Sequence, residues 1–194
     1  CGYPPFIKDV IDEAEEHGIR WQQHNIKIVF AAETFSENFR DYIVRKAGIK
    51  NVYTDTMNIY GSAELGTMAE ETPVSILIRR IMAQNNAAYK NIFTNARQFP
   101  TLVQFNPLFT NFESIEGNIL CTGYNDLPLI RYAIGDRGSI IEFKEMVHVL
   151  KRNDIDIKYE ANKVGIKNNA ELPFVYIYER ADLSTKLYGA IIYP

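Results

Sequence analysis

A chain of 194 residues, 46% of them hydrophobic, can bury a sizeable core as one main domain or two small ones. Its formal charge of −3 and the absence of any Lys/Arg cluster exclude the concentrated positive charge that a nucleic acid partner requires. Its apolar runs are too short to span a bilayer, no basic-then-apolar leader opens it, and Cys1 and Cys121 have neither metal nor disulfide spacing, so a cytoplasmic protein with reduced thiols is expected.

Pro4 and Pro5, followed by Phe6, Ile7, Val10, Ile11 and Ala14, predict a helix that His17-Gly18 stops. The run from Ile26 to Ala32 reads as a buried strand. It leads into Glu33 and Thr34, and open α/β sheets bind ligands at such strand ends. Ser36, or Thr34 with Glu37 three residues on, can cap a second helix carrying Phe39, Tyr42, Ile43 and Ala47 before Gly48. A strand from Val52 then implies a βαβ crossover and a parallel pair.

Thr72-Pro73 opens a third helix with Val74, Leu77, Ile78 and Ile81 on its packing face and Arg79 and Arg80 towards its edge. Residues 85–99 read as a connector with one more helical turn. Strand character returns at Thr101–Phe105, Gly117–Cys121, Leu129–Tyr132, Ser139–Phe143 and Phe174–Tyr178. A helix starts within Glu142–Lys151, and Asn153–Ala170 is a charged excursion without repeats or low complexity. The expected class is α/β, with a parallel-type βαβ sheet over 1–100 and a smaller antiparallel or barrel-like β subdomain over 101–178.

Two segments stand out, Asn58 to Glu64 (NIYGSAE) and Pro128 to Asp136 (PLIRYAIGD). In the first, strand alternation sends Asn58, Tyr60 and Ser62 to one face. In the second, the Gly135-Asp136 turn can aim two carboxylate oxygens at vicinal hydroxyls. Taken one by one, these residues have ordinary readings: a core tyrosine, a turn glycine, a solvated glutamate, a surface ion pair. His17, His24 and His148 lack metal-ligand spacing.

With Ala31 to Thr34 (AAET) and Phe35 to Arg40 before them, and Glu179 to Asp182 (ERAD) after them, the segments in this order resemble the adenylate-forming, acyl-activating enzymes. The phenylacetate-CoA ligase-like branch is the most similar, and the chain resembles the central part of that branch's large N-terminal domain. The resemblance implies that Tyr60 stacks on adenine, that the Asn58 amide pairs with it, and that Gly61 lets the backbone approach the nucleotide. Ala32, Glu33 and Thr34 would line the adenine and acyl pockets, with Ala31-Ala32 in place of the commoner Gly-Gly. Asp136 would take the ribose hydroxyls, Arg180 would lie near ribose and phosphate, and Glu64 would hold Mg2+. A hydroxyl usual before that glutamate is here Ala63, for which Ser62 is the candidate substitute.

The same resemblance makes 179–194 a hinge segment, with Asp182 the pivot towards a C-terminal domain bearing a catalytic lysine. A start at Cys1 and an end at Pro194 read as a cut, with the phosphate loop upstream and the catalytic groups outside the chain. The implied activity is ATP-dependent formation of an acyl adenylate, then a thioester with coenzyme A, from a small-molecule carboxylic acid of aryl type. Acyl transfer to an amine, a divergent nucleotide-binding or interaction module, and a homodimer stay open.

Overall fold

The structure is a computed structural model that describes residues 1–94, 96, 99–125, 127–167, 170–180, 185–187 and 190–192. The first helix, α1 (Pro4–Glu16), starts on proline and ends at His17, as its spacing predicts. Strand β1 (Ile28–Ala31) leads to α2 (Glu37–Ala47), where the Ser36 hydroxyl accepts from Phe39 N–H and Gly48 closes the helix with φ +68°. The predicted strand from Val52 begins later. Asn51 caps a single helical turn, α3 (Val52–Asp55), and β2 runs over Thr56–Ser62.

β2 pairs in parallel with β1, with Ala31 opposite Ile59, so the βαβ unit is present. β3 (Gly66–Glu70) returns antiparallel. Thr72 then caps α4 (Pro73–Gln84) through a reciprocal bond with Ser75. The expected connector contains α5 (Asn86–Ile92), capped by Asn85.

The second half supplies β4 (Thr101–Gln104), β5 (Thr110–Ile115), β6 (Asn118–Asn125) and β7 (Leu127–Ile141). β7 merges two predicted strands into one, because Gly135 at φ +84° turns the backbone without ending the pairing. α6 (Phe143–Arg152) follows, and the charged excursion holds α7 (Ile157–Lys163), capped by Asp156. β8 (Phe174–Arg180) and the short β9 (Thr185–Leu187) and β10 (Ala190–Ile192) complete the described elements. No helix among the described residues is long and apolar enough to cross a membrane.

Among the described residues, eight strands form one mixed sheet in the order β1-β2-β3-β4-β8-β7-β6-β5, continuous across position 100. Its central strand β8 is buried on both faces. Phe174 and Tyr176 join Leu77, Ile78, Met146 and Leu150 beneath the helices. Val175 packs on the other face with Met68, Val103, Phe105, Phe112 and Ile119. On that second face the sheet coils, since the Tyr60 hydroxyl of β2 reaches Asp136 of β7 at 2.7 Å although three strands lie between them.

Cys121 lies in this second core, fully buried, and burial pushes its thiol up to about 11. The thiolate is the reactive form. At pH 8, a thiol reagent is therefore expected to label exposed Cys1 at once and Cys121 only after denaturation. Rapid labelling of both in the folded chain would show the coil of the sheet to be open.

A buried ionic cluster joins the βαβ unit to α4, and it corrects the expectation that Arg79 lies at a helix edge. Arg79 is 1% exposed. Its guanidinium bonds Glu37 and the carbonyls of Phe35 and Pro100. Arg40, also fully buried, donates to Glu37 at 3.0 Å, to Glu71 at 2.6 Å and to Thr56 Oγ1 at 3.0 Å. The Phe35 ring lies against both guanidinium groups, at 4.9 and 5.1 Å. Burial pulls the Arg40 pKa down, but the charges of Glu71 and Glu37 outweigh it and raise it overall.

Candidate functional site

The parallel pair sets the site's first edge. Ala32 follows β1 directly and adopts φ +70°, a left-handed conformation for which glycine is the natural residue. Thr34 beyond it donates to the Phe99 carbonyl at 3.2 Å, and Glu33 is half-buried. An alanine in this conformation costs about 1–2 kcal/mol, whereas glycine loses roughly 0.5–1 kcal/mol more entropy on folding. Ala32→Gly is thus expected to stabilise the chain by about 0.5–1 kcal/mol, or a few degrees in Tm. A lower melting temperature would refute the strain.

Ile59 stands beside Ala31, so Asn58 and Tyr60 flank the same strand end. Asn58 is 3% exposed, and its side-chain Oδ1 is buried with no hydrogen-bond partner among the described residues. The Tyr60 ring packs 6.0 Å from that of Phe112, and its hydroxyl donates to Asp136 Oδ2. Gly61 has a reason internal to the hairpin: a Cβ there would lie 2.3 Å from the Gly66 carbonyl oxygen, opposite the bulge at Met68. The Ser62 hydroxyl accepts from Leu65 N–H at 3.2 Å and also bonds the Glu64 carboxylate, so it serves the turn.

Strand β7 presents the opposing wall. Residues two apart on a strand share a face, which aligns Tyr132, Ile134 and Asp136. Tyr132 donates to Glu64 at 3.3 Å, Ile134 packs in the second core, and Asp136 receives Tyr60. The two polar contacts are separated along β7 by at most about 13 Å. Arg180, opposite Asp136 in the β7/β8 register, brings its guanidinium to 3.9 Å from Asp136 Oδ1. Arg131 instead pairs with Glu113 at 3.2 Å, at an exposed position outside this group.

Electrostatics assigns distinct states to the two ends. Burial, with the charge and hydrogen bond of Asp136, holds the Tyr60 hydroxyl far above its ordinary pKa, so it remains a donor. Asp136 is 8% exposed. A carboxylate has roughly four lone-pair sites, and those of Asp136 face the Tyr60 hydroxyl and the Arg180 guanidinium. Exposed Glu64 is held below the usual carboxylate range by its own backbone N–H and the Ser62 hydroxyl, and also by Tyr132. No group of three His, Cys, Asp or Glu suited to a metal occurs among the described residues. A single exposed carboxylate nevertheless fits Mg2+, which keeps several waters and is commonly held by one or two carboxylates and substrate phosphates.

A cavity of about 270 Å³, lined by Leu65, Gly66, Thr67, Phe109, Gly123 and Tyr124, starts one residue beyond Glu64. Another, of about 260 Å³, includes Gln22, Ile26, Gly48 and Asp55 and lies at the opposite, N-terminal ends of β1 and β2. Asp182 lies outside the described residues. The structure thus joins Tyr60, Asp136 and Arg180, sets Glu64 on the same β7 wall, and leaves Ala32 to Thr34 in the loop after the neighbouring strand β1, with Thr34 bonded to Phe99. Reading the sequence missed Tyr132, whose two-residue alternation with Asp136 was its available signal, and the Arg40–Glu71 pair, for which no local signal exists. Comparison with protein-family models and with curated proteins finds no match for this chain.

Proposed function

We propose that this chain is the nucleotide-holding part of an ATP-dependent carboxylate-activating ligase of the phenylacetate-CoA ligase-like kind. The observation that carries the reading is the Tyr60–Asp136 hydrogen bond, which joins two motifs 76 residues apart. In this reading Asn58 Oδ1 accepts from the adenine amino group and the Tyr60 ring contacts the base. Asp136 accepts from the ribose hydroxyls, and Arg180 attracts negative charge next to it. Ala32, Glu33 and Thr34 border the base and the acid. Mg2+, when bound, would supply neutralising charge at the phosphates, with Glu64 as its protein ligand. The acid's carboxylate would displace pyrophosphate from ATP, and the coenzyme A thiol would then displace AMP from the acyl group.

Two mutants test the division of labour in an ATP-by-magnesium binding titration. Tyr60→Ala should weaken ATP by about 1–3 kcal/mol, the scale of base–aromatic stacking, without changing the magnesium requirement. Glu64→Gln should raise the magnesium requirement with adenosine affinity nearly intact, because a neutral amide is a poor ligand for a hard cation. A shift of the same parameter in both, or of none, would reduce the segment to strand and turn.

One observation favours a second reading, a module that holds nucleotide without activating an acid. Ala63 offers no hydroxyl for a phosphate, and that of Ser62 is engaged in the turn. Pyrophosphate release by the full-length ligase that the first reading implies, over a panel of aryl and alkyl acids with coenzyme A or an amine as acceptor, separates the readings.

A further inference from the structure

We infer that Glu71 is a positioning residue for the nucleotide site, acting through Asn58 and held in turn by Arg40; the inference rests on the nucleotide reading above. β3 ends at Glu70. The next backbone N–H, that of Glu71, still donates to the Asn58 carbonyl at 2.8 Å. An antiparallel pair would return this bond from Asn58 N–H to the Glu71 carbonyl. Here it is the Glu71 side chain that accepts it, Oε2 lying 2.8 Å from Asn58 N. The chain has begun its turn through Thr72 and Pro73 into α4, and the carboxylate substitutes for the strand's missing carbonyl.

The other carboxylate oxygen, Oε1, receives Arg40 Nη2 at 2.6 Å, while Arg40 Nη1 donates to Thr56 Oγ1, two residues before Asn58 on β2. One buried guanidinium therefore braces β2 at Thr56 and, through Glu71, at Asn58. On its other side Asn58 is paired in register with Phe30 of β1. With its backbone N–H and carbonyl both held by Glu71, the residue keeps a buried side-chain oxygen that lacks a partner among the described residues. Buried acceptors are rarely left so. An oxygen placed to accept suits a ligand with an exocyclic amine and discriminates against one carrying a carbonyl in its place.

The readout is the ratio of affinities for ATP and inosine triphosphate, which differ at that group. The unaltered chain should favour ATP by about tenfold, the scale of one net hydrogen bond, and Asn58→Ala should abolish the preference. Removing Glu71 alone would leave the buried Arg40 to share the one carboxylate of Glu37 with Arg79, so two substitutions are compared in an Arg40→Met background, with folding followed by circular dichroism. Glu71→Gln, which keeps an acceptor for Asn58 N–H, should retain the preference. Glu71→Met, which has none, should bring the ratio to within about twofold of unity with the inosine triphosphate affinity unchanged.

Equal ratios in the two double variants, or a parallel loss of both nucleotides in the Met variant, would overturn the positioning role. A chain with no preference, or one whose preference survives Asn58→Ala, would overturn the nucleotide reading beneath it. Loss of preference in Asn58→Ala with retention in the Met variant would overturn the Glu71 inference alone.

Discussion

Asp136→Ala is expected to weaken ATP binding by about 2–4 kcal/mol, the scale of the two charge-assisted hydrogen bonds that the proposed reading assigns to the ribose. The side chain is 8% exposed, accepts from Tyr60 and lies 3.9 Å from Arg180. Its removal also takes away the acceptor seen for the Tyr60 hydroxyl, a structural loss of about 1–3 kcal/mol. For a chain of this size that amounts to a drop of about 2–12 °C in Tm, at about 2–4 °C per kcal/mol. Affinity must therefore be measured well below the melting point of the variant.

Tyr60→Phe separates the two contributions, because it removes the hydroxyl and keeps the ring and both carboxylate oxygens. Its stability should fall by about 1–2 kcal/mol, with ATP affinity close to that of the unaltered chain. Unchanged ATP affinity in folded Asp136→Ala would take this carboxylate out of the site. The Tyr60–Asp136 bond would then be a contact that only closes the coiled sheet.

The largest stability effect is expected at Arg79, with Arg79→Ala losing about 3–5 kcal/mol, the range for breaking a buried pair from one side. The corresponding fall in Tm is about 6–20 °C. Truncation removes the donor to the Pro100 and Phe35 carbonyls and one cation from Glu37. It also strips the guanidinium from the Phe35 and Phe99 rings, 5.1 and 4.9 Å away. Burial already holds the Arg79 pKa below its ordinary value, against the attraction of Glu37 and Glu71. The group remains charged nonetheless, as arginine does in proteins.

Its neighbour Arg80 is the control. It reaches Asp41 at 2.8 Å and Glu37 at 3.2 Å from a half-exposed position. Solvent screening should limit the loss in Arg80→Ala to about 1 kcal/mol. Thermal melts that rank the two equally would contradict the placement of the cluster.

The starts of α1, α2 and α4 and the stops of α1 and α2 were legible in the sequence because they are local. Ser36 and Thr72 reach backbone N–H groups three residues on, Gly48 supplies the left-handed closure, and Pro4 and Pro73 lack a donor that a first turn leaves unpaired anyway. The parallel pairing of β1 with β2 was legible too, since a strand–helix–strand order leaves few alternatives, and so was the antiparallel character of the second half.

The outcome at β7 was not legible, because Gly135-Asp136 reads as a turn while the ladder continues through it at positive φ. Nor were the places of Arg40 and Arg79. Adjacent Arg79 and Arg80 look alike to any helical-wheel argument, and burial of one depends on Glu37 and the Phe35 and Pro100 carbonyls, which other elements bring to it. Motif order aligned Tyr60 and Asp136 as candidates, but their contact depends on twist and bulging accumulated across the strands between them. Sequence by itself therefore determined α1, α2, α4, the parallel pair, the class and the candidate residues, whose signals span a few neighbours, whereas β3 and β5 went unread. Only the tertiary structure decided which charges are buried, that Gly61 answers to the hairpin, and that one wall of β7 faces both Tyr60 and Glu64, because each depends on groups far apart in the chain.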